Sequence, residues 1–414
     1  MSEPKHVVMG LDIGTTKVAA TVGHFAEGGI EILGMSKVPN TGLRKGQVID
    51  IAETVSAISA ILEESERTTQ VTISSAFVGL GGAHVETTKS KGVIAVSRPD
   101  GEITSQDVDR VVEAARAVAM PANREIIHVL PKAFSVDAEQ GIVDPVGMTG
   151  IRLEVEAHVV SCASSAVKNT LRAVTQAGLQ VDDLVFDPLA TAEIMLNKRQ
   201  KESGALLIDI GAGTTSLAIY EEGDLVHAAI VPIGSMHITN DIAIGLRTSI
   251  DVAEIVKMRF GSALKERTSE TELIELAEIN PDENQRPKLK YVAEIIEARL
   301  SELFLMINDE LRKIGRDGTL PAGAVLTGGG SKLNGLIDFT KQALHLPATL
   351  GRPTLEFAGS VDKLDDPSYA TSVGLALWGL AGRAPIASQK KSISFDTMEG
   401  VVGKARDFLK QLLP

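Results

Sequence analysis

The sequence predicts an α/β fold of two similar halves, each built on its own β-sheet core and each presenting a glycine turn to one shared cleft. Three observations carry this. Residues 206–219, LLIDIGAGTTSLAI, are an apolar run ending on Asp209, a turn of small residues, and a second apolar run. Runs of this kind bounded by glycine read as buried strands. Residues 7–18, VVMGLDIGTTKV, repeat the pattern with Asp12, Gly14, Thr15 and Thr16. A further buried strand at 322–326 runs into Thr327-Gly328-Gly329-Gly330-Ser331.

The bulk properties fit that reading. A chain of 414 residues has room for roughly two to four domains. Its 44% hydrophobic and 23% charged residues are those of a globular protein. A net charge of −13 argues against nucleic acid as a partner, because phosphate binding needs a basic face. The single cysteine, Cys162, precludes a disulfide within the chain and fits a reducing compartment. Residues 1–6 are polar and no long apolar stretch follows, so no signal peptide is expected. The charge-free stretch at 367–382 is too short and too rich in Gly, Ser and Thr to span a bilayer. The histidines lack ligand spacing, no Walker lysine motif is present, and Gly211-x-Gly213 lacks the third glycine of a dinucleotide fingerprint. Metal-hydrolase and dehydrogenase readings therefore fall away.

Taken in order, the first hairpin continues through an acidic-glycine turn at 26–29 into a third strand, and the second hairpin does the same at 221–224. Helical spacing of Ile51, Val55, Ile58, Ile61 and Leu62 predicts a helix over 50–66, and a strand is expected at 70–78. After Gly79-Leu-Gly-Gly the character changes. Short strands at 84–88, 92–96 and 125–134 surround one helix at 105–119, started by Ser105, Gln106 and Asp107. The segment closes at 142–160 on a half-buried strand, so 84–162 reads as an inserted α+β subdomain. Helices are expected at 165–176, 187–197, 238–245, 251–260 and 288–314, with charged loop or short strands at 265–285. An apolar helix at 368–382 ends the core.

Each glycine turn follows a buried strand, where an open α/β sheet presents its ligand loops. Gly211 and Gly213 carry no Cβ, so main-chain amides can approach a phosphate, with Asp209 at the mouth to hold a metal-bound water. A strand-capping glycine turn alone can be no more than a turn; three at these separations form a signature. It resembles the phosphate-1, phosphate-2 and adenosine motifs of the actin–Hsp70–sugar kinase superfamily. The resemblance implies an actin-like, ribonuclease H-like two-domain fold with ATP and Mg2+ in the cleft. Asp12 and Asp209 would hold Mg2+ through water, and Lys17 would reach the phosphates. Thr214, Thr215 and Ser331 would join the glycines around the nucleotide. Glu254 and Lys257 match the element that contacts the nucleoside, although at i,i+3 they also read as an exposed ion pair. Asp187-Pro188 resembles the acid-Pro pair that positions an attacking water in bacterial actins, and equally a helix start with Pro at N1. With Asp one methylene shorter than the Glu of those actins, any ATPase activity is expected to be weak.

Within the superfamily, residues 5–382 plus the tail resemble the FtsA branch of bacterial cell-division actin homologues. The insert has the composition of that branch's subdomain 1C, and Asp144-Pro-Val-Gly-Met-Thr-Gly-Ile-Arg-Leu-Glu154 matches its characteristic segment. The implied division is 1A at 1–83 and 163–203, closed by the helix at 368–382; 1C at 84–162; 2A at 204–236 and 312–367; 2B at 237–311; a linker at 383–395; and a membrane-targeting helix at 396–414. The resemblance further implies polymerisation on the cytoplasmic membrane at the division site, anchoring of the tubulin-like protein FtsZ by its C-terminal peptide, and contacts of 1C with other division proteins. Arg299 and Glu302 match positions used for that peptide; otherwise they form a solvated helix face. A small-molecule kinase, a pilus-assembly actin homologue and a chaperone ATPase are the rival readings.

The tail supports the tether by itself. Val401, Val402, Ala405, Phe408, Leu409, Leu412 and Leu413 form one apolar face, opposite Lys404, Arg406, Asp407, Lys410 and Gln411. From Ser388 onward five basic residues oppose three acidic ones. A basic amphipathic helix after a polar linker reads as an in-plane membrane anchor, or as a helix docked on its own core or on a partner. Burying each large apolar side chain is worth about 1.5–3 kcal/mol, but so short a helix is marginal in water. One copy should therefore bind weakly, and many copies in a filament firmly.

Overall fold

The computed structural model describes residues 7–26, 29–117 and 120–382. The expected linker and amphipathic helix, with Val401, Val402, Lys404, Phe408, Leu409, Lys410, Leu412 and Leu413, lie outside the described residues.

Two sheets share one plan. The first runs Gln180–Phe186, Ser75–Leu80, Val7–Ile13, Lys17–Ala26, Gly29–Pro39, Phe357–Gly359. The second runs Ala348–Leu350, Gly323–Thr327, Ala205–Ile210, Thr215–Glu221, Asp224–Val231. In each, the strand carrying the aspartate pairs antiparallel with its hairpin partner and parallel with a strand that arrives after a long excursion. Asp12 stands opposite Ala19 and Asp209 opposite Ser216. The central runs are continuous rather than alternating because both faces are covered; Val8, Met9, Leu11, Leu206, Leu207 and Ile208 are all buried.

The first sheet is covered on one face by helices Ile51–Thr69 and Ser164–Gln176. Between the sheets lie Asp187–Met195 and Ala370–Leu380. Every residue of Ala370–Leu380 is buried, as befits a helix apolar on all sides. Leu375 and Trp378 belong to one cluster with Ala19 and Val185 of the first sheet and Ala205, Tyr220 and Val325 of the second, so the halves share this core. The two helices cross closely: a Cβ on Gly374 would stand 2.0 Å from the carbonyl oxygen of Ala190. Helices Ser235–Leu246, Ile250–Phe260 and Leu289–Lys313 pack on the outer side of the second sheet.

The insert is a four-stranded antiparallel sheet, Val85–Ala95, Arg152–Ala163, Arg124–Val136, Glu139–Ile142, with helix Ser105–Arg116 on one face and a core including Val111, Ala115, Val129, Leu153 and Val155. It meets the second half along strand Asp224–Val231, where Val85, Val160 and Cys162 share a buried cluster with Tyr220, Leu225 and Ala228 and the Thr87 hydroxyl donates to the Ala228 carbonyl at 2.6 Å.

Several expected boundaries move. The strand expected from residue 70 begins at Ser75, because Gln70 caps the preceding helix in a left-handed conformation (φ 58). The strands expected at 84–88 and 92–96 are one, Val85–Ala95, which runs unbroken along Arg152–Ala163. The insert helix is capped by Thr104, whose amide and hydroxyl both donate to Asp107 at 3.0 and 2.7 Å. Strand Gln180–Phe186 was not expected: a register shift between Val181 and Asp183 interrupts its apolar alternation. Ala348–Leu350 and Phe357–Gly359 are too short to leave a pattern. The charged stretch 265–285 forms two short 3-10 turns and loop.

Candidate functional site

The strand ends that carry the glycine turns open onto one cleft of about 1010 Å³ between the sheets. Asp12, Gly14, Thr15, Thr16 and Lys17 line it from the first half. Asp209, Gly211, Gly213, Thr214, Glu254, Lys257, Gly328, Gly329 and Gly330 line it from the second, and Asp187 stands between. The hairpin turns close alike, with the Gly14 amide on the Lys17 carbonyl (2.9 Å) and the Gly211 amide on the Thr214 carbonyl (3.0 Å). Asn40 braces the first turn by donating to the Gly14 carbonyl at 2.8 Å.

Two expected contacts fall away from the cleft. Thr215 is fully buried, and its hydroxyl donates to the Ile233 carbonyl at 2.8 Å. The Ser331 hydroxyl donates to the Gly328 carbonyl at 2.7 Å, closing the third turn from behind. Both hydroxyls shape the turns rather than face the space. Gly328 takes a left-handed φ of 81, and a Cβ there would meet Asp209 Oδ1 at 2.1 Å. The carboxylate is therefore pressed against main chain that only glycine can supply.

Three carboxyl groups meet one lysine. Lys17 donates to Asp12 at 3.2 Å and to the Ser368 carbonyl. Burial, then the nearby Asp12, pushes the Asp209 carboxyl up to about 6, while Lys17 and a 3.2 Å hydrogen bond from Thr371 pull the other way. Asp187 is raised well above the usual carboxylate range, by burial first and then by Asp12 and Asp209. Its Oδ1 is buried without a hydrogen-bond partner. A buried, unsatisfied carboxylate oxygen at a cleft is a costly arrangement, and a bound water or ligand would relieve it.

Space for Asp187 comes from the turn after strand Ser75–Leu80: a Cβ at Gly81 would lie 2.0 Å from Asp187 Oδ2. This turn, Gly79-Leu-Gly-Gly, occupies in the first half the place that Gly328-Gly-Gly holds in the second. Gly81 lines the cleft and was missed as a site residue, although its position after the parallel core strand was a usable signal. Thr371 and Ser368 were also missed.

Glu254 and Lys257 are both an ion pair and cleft residues. Lys257 Nζ lies 2.6 Å from Glu254 Oε2 and 2.7 Å from the Thr239 hydroxyl. Arg299 is not a free surface charge: its guanidinium forks onto Asp241 (2.6 and 2.9 Å) and also meets Glu302. The fork ties helix Leu289–Lys313 to Ser235–Leu246, away from the cleft.

Comparison with known proteins agrees with this architecture. A family model described as "Cell division protein FtsA" matches residues 206–374, and one described as "SHS2 domain inserted in FTSA" matches residues 82–161. The cell division protein FtsA of Pseudomonas aeruginosa is 40% identical over 375 residues, 90% of this chain and 89% of that one. The chain belongs to the FtsA family of cell division proteins. FtsA of Bacillus subtilis is 38% identical over 365 residues, 88% of this chain and 81% of that one.

Solved structures share the actin-like fold at lower identity. A PilM–PilN type IV pilus biogenesis complex matches with a TM-score of 0.67 at 20% identity, over 91% of this chain and 99% of that one. MreB5 of Spiroplasma citri bound to ADP matches with 0.51 at 15%, over 90% and 95%. Among the described residues of this FtsA-family chain, no helix is long and apolar enough to cross a membrane.

Proposed function

We propose that this FtsA-family chain binds ATP with Mg2+ in the cleft, polymerises on the cytoplasmic face of the cell membrane at the division site, and anchors FtsZ there. The observation that carries the reading is the convergence of three glycine turns and three carboxyl groups on one space between two duplicated sheets. The residues suit the group: a gap lined by glycine main chain accepts phosphates, and the buried Asp187 oxygen lacks a partner. Among the described residues no three acidic, histidine or cysteine groups stand close enough to hold a metal ion directly. Asp12 and Asp209 would instead hold Mg2+ through water, in keeping with an ion that keeps several waters and takes its other ligands from phosphates. When bound, Mg2+ would neutralise the phosphate charge. Lys17 would hold phosphate oxygens, the Glu254–Lys257 pair the nucleoside, and Asp187 would orient a water. Hydrolysis is slow in this reading, because the Asp187 carboxyl reaches one methylene less far than the Glu of bacterial actins.

In this reading 1A, 1C, 2A and 2B take the boundaries expected from the sequence, the basic amphipathic tail lies in the membrane, and 1C meets other division proteins. The FtsZ peptide docks on 2B beside Glu302, where the Asp241–Arg299 fork fixes the helices. Cosedimentation with anionic liposomes, with and without Mg-ATP, tests the core of it. The full chain should pellet with lipid, and more so with Mg-ATP, whereas a chain ending at Gly382 should stay in solution. Equal pelleting of both would refute the tether.

A further inference from the structure

Strand Gln180–Phe186 forms one margin of the first sheet, so amides on its outer side have no neighbouring strand to receive them. Its last residue, Phe186, is 1% exposed and immediately precedes helix Asp187–Met195. A buried amide at that point needs an acceptor, and the insert supplies one: the Phe186 amide donates to His128 Nε2 at 3.1 Å. His128 lies on the insert's strand Arg124–Val136, opposite Val160. Burial pushes its imidazole down to about 4, so near neutral pH the ring carries a single proton. The bond from Phe186 places that proton on Nδ1.

The same ring lies against Trp378 of helix Ala370–Leu380, with centroids 5.7 Å apart and planes tilted by 55°. His128 thus meets both helices of the central crossing, one at its start and the other near its end. The first residue of the former is Asp187, and its carboxyl sits without slack. A Cβ on Gly79 would lie 2.4 Å from Asp187 Oδ1, and one on Gly81 2.0 Å from Oδ2. Oδ1 has no hydrogen-bond partner, so the main chain behind the side chain does the aiming. At Phe186 that main chain is held from the insert.

We propose that His128 is a positioning residue for Asp187: through this one acceptor the insert fixes the start of the helix, and with it the carboxyl that orients the water. This rests on the reading of Asp187 given above. His128 touches neither nucleotide nor water; it acts through the Phe186 main chain. Its neutral ring is suited to the task, because a protonated imidazole would turn a second donor on the amide.

The test uses the full chain with Mg-ATP, following phosphate release in a single turnover and affinity by competition against a fluorescent nucleotide. His128→Leu fills the space but accepts nothing. Its turnover should fall about tenfold, within the roughly 100-fold that a misplacement of about 1 Å can cost, with affinity for Mg-ATP unchanged. His128→Asn, too short to reach the amide, should behave as Leu does. His128→Gln, which offers a carbonyl oxygen at similar reach, should restore most of the rate and keep the Phe186 amide slow to exchange its hydrogen. In an Asp187→Asn chain the Leu substitution should cost no further turnover, because the group it positions is gone. Unchanged turnover in His128→Leu, no recovery in His128→Gln, or a further loss in the Asp187→Asn chain would overturn the proposal and leave the nucleotide site standing. If the unaltered chain binds Mg-ATP without turning it over, the role of Asp187 falls and the proposal with it. If it binds no nucleotide, the reading of the cleft falls as well.

Discussion

Asp209 shows how the site's chemistry depends on its neighbours. Its carboxyl titrates at about 6 because burial and Asp12 both oppose its charge. In the unfolded chain the same group titrates near its ordinary 3.8. The folded state therefore holds the proton more tightly between these values. The stability this contributes is full below pH 3.8 and is lost as pH rises through about 6. A cation needs the ionised form, so the Mg2+-dependent part of nucleotide affinity should strengthen as pH rises from 5 to 7.5, while affinity in EDTA changes less. Titrations across that range check this, and a pH-independent Mg2+ increment would contradict it. Asp12 and Asp209 were legible because each ends an unbroken apolar run before a glycine turn. Thr371, which holds Asp209 from 162 residues away, was not. In the sequence it is one more small residue near the start of a helix, and only the crossing of that helix under the cleft gives it a role.

Helix pairing is where side-chain chemistry decides the packing of the outer layer. The two-pronged Arg299–Asp241 contact joins helices whose residues are far apart in sequence, and both side chains are about a quarter exposed. Bidentate guanidinium–carboxylate contacts are among the stronger polar links, although solvent weakens one this accessible. Arg299→Ala and Asp241→Ala should each lower stability by about 1 kcal/mol, and the double variant should be no worse than either single one. Denaturant melts of the four proteins measure this, and additive losses would show that the fork is not one unit. A peptide-binding defect in Arg299→Ala is then read against Asp241→Ala, which loosens the same helices without removing the arginine. The helices themselves were legible from apolar spacing to within a few residues. The fork was not, because nothing in the sequence marks Asp241, 58 residues away, as the partner of Arg299.

For the whole molecule, the decisive contact is the crossing of Asp187–Met195 with Ala370–Leu380, through which the two sheets share a core. Gly374→Leu would drive a side chain into the Ala190 carbonyl. Overpacking of this kind costs about 1–3 kcal/mol, so thermal unfolding should begin at clearly lower temperature, with weaker nucleotide binding because Thr371 lies one turn away. An unchanged melting curve would mean that the helices tolerate separation. The duplication of the halves was legible because both hairpins run from an apolar stretch through Asp-Ile-Gly to a Thr-Thr pair. The close crossing was not, since a glycine within an apolar helix gives no sign of what passes over it.

The contact between the insert and strand Asp224–Val231 has a consequence for how the molecule meets others. Strand Asp224–Val231 is the margin of its sheet, and a bare margin invites another chain to add a strand. Thr87 takes up the outward carbonyl of Ala228, a residue only 1% exposed, so the insert sheathes that margin. Removing the insert would uncover an adhesive β-ribbon. An insert-deleted chain that clumps in solution would then report a stripped margin, not the loss of a recognition module.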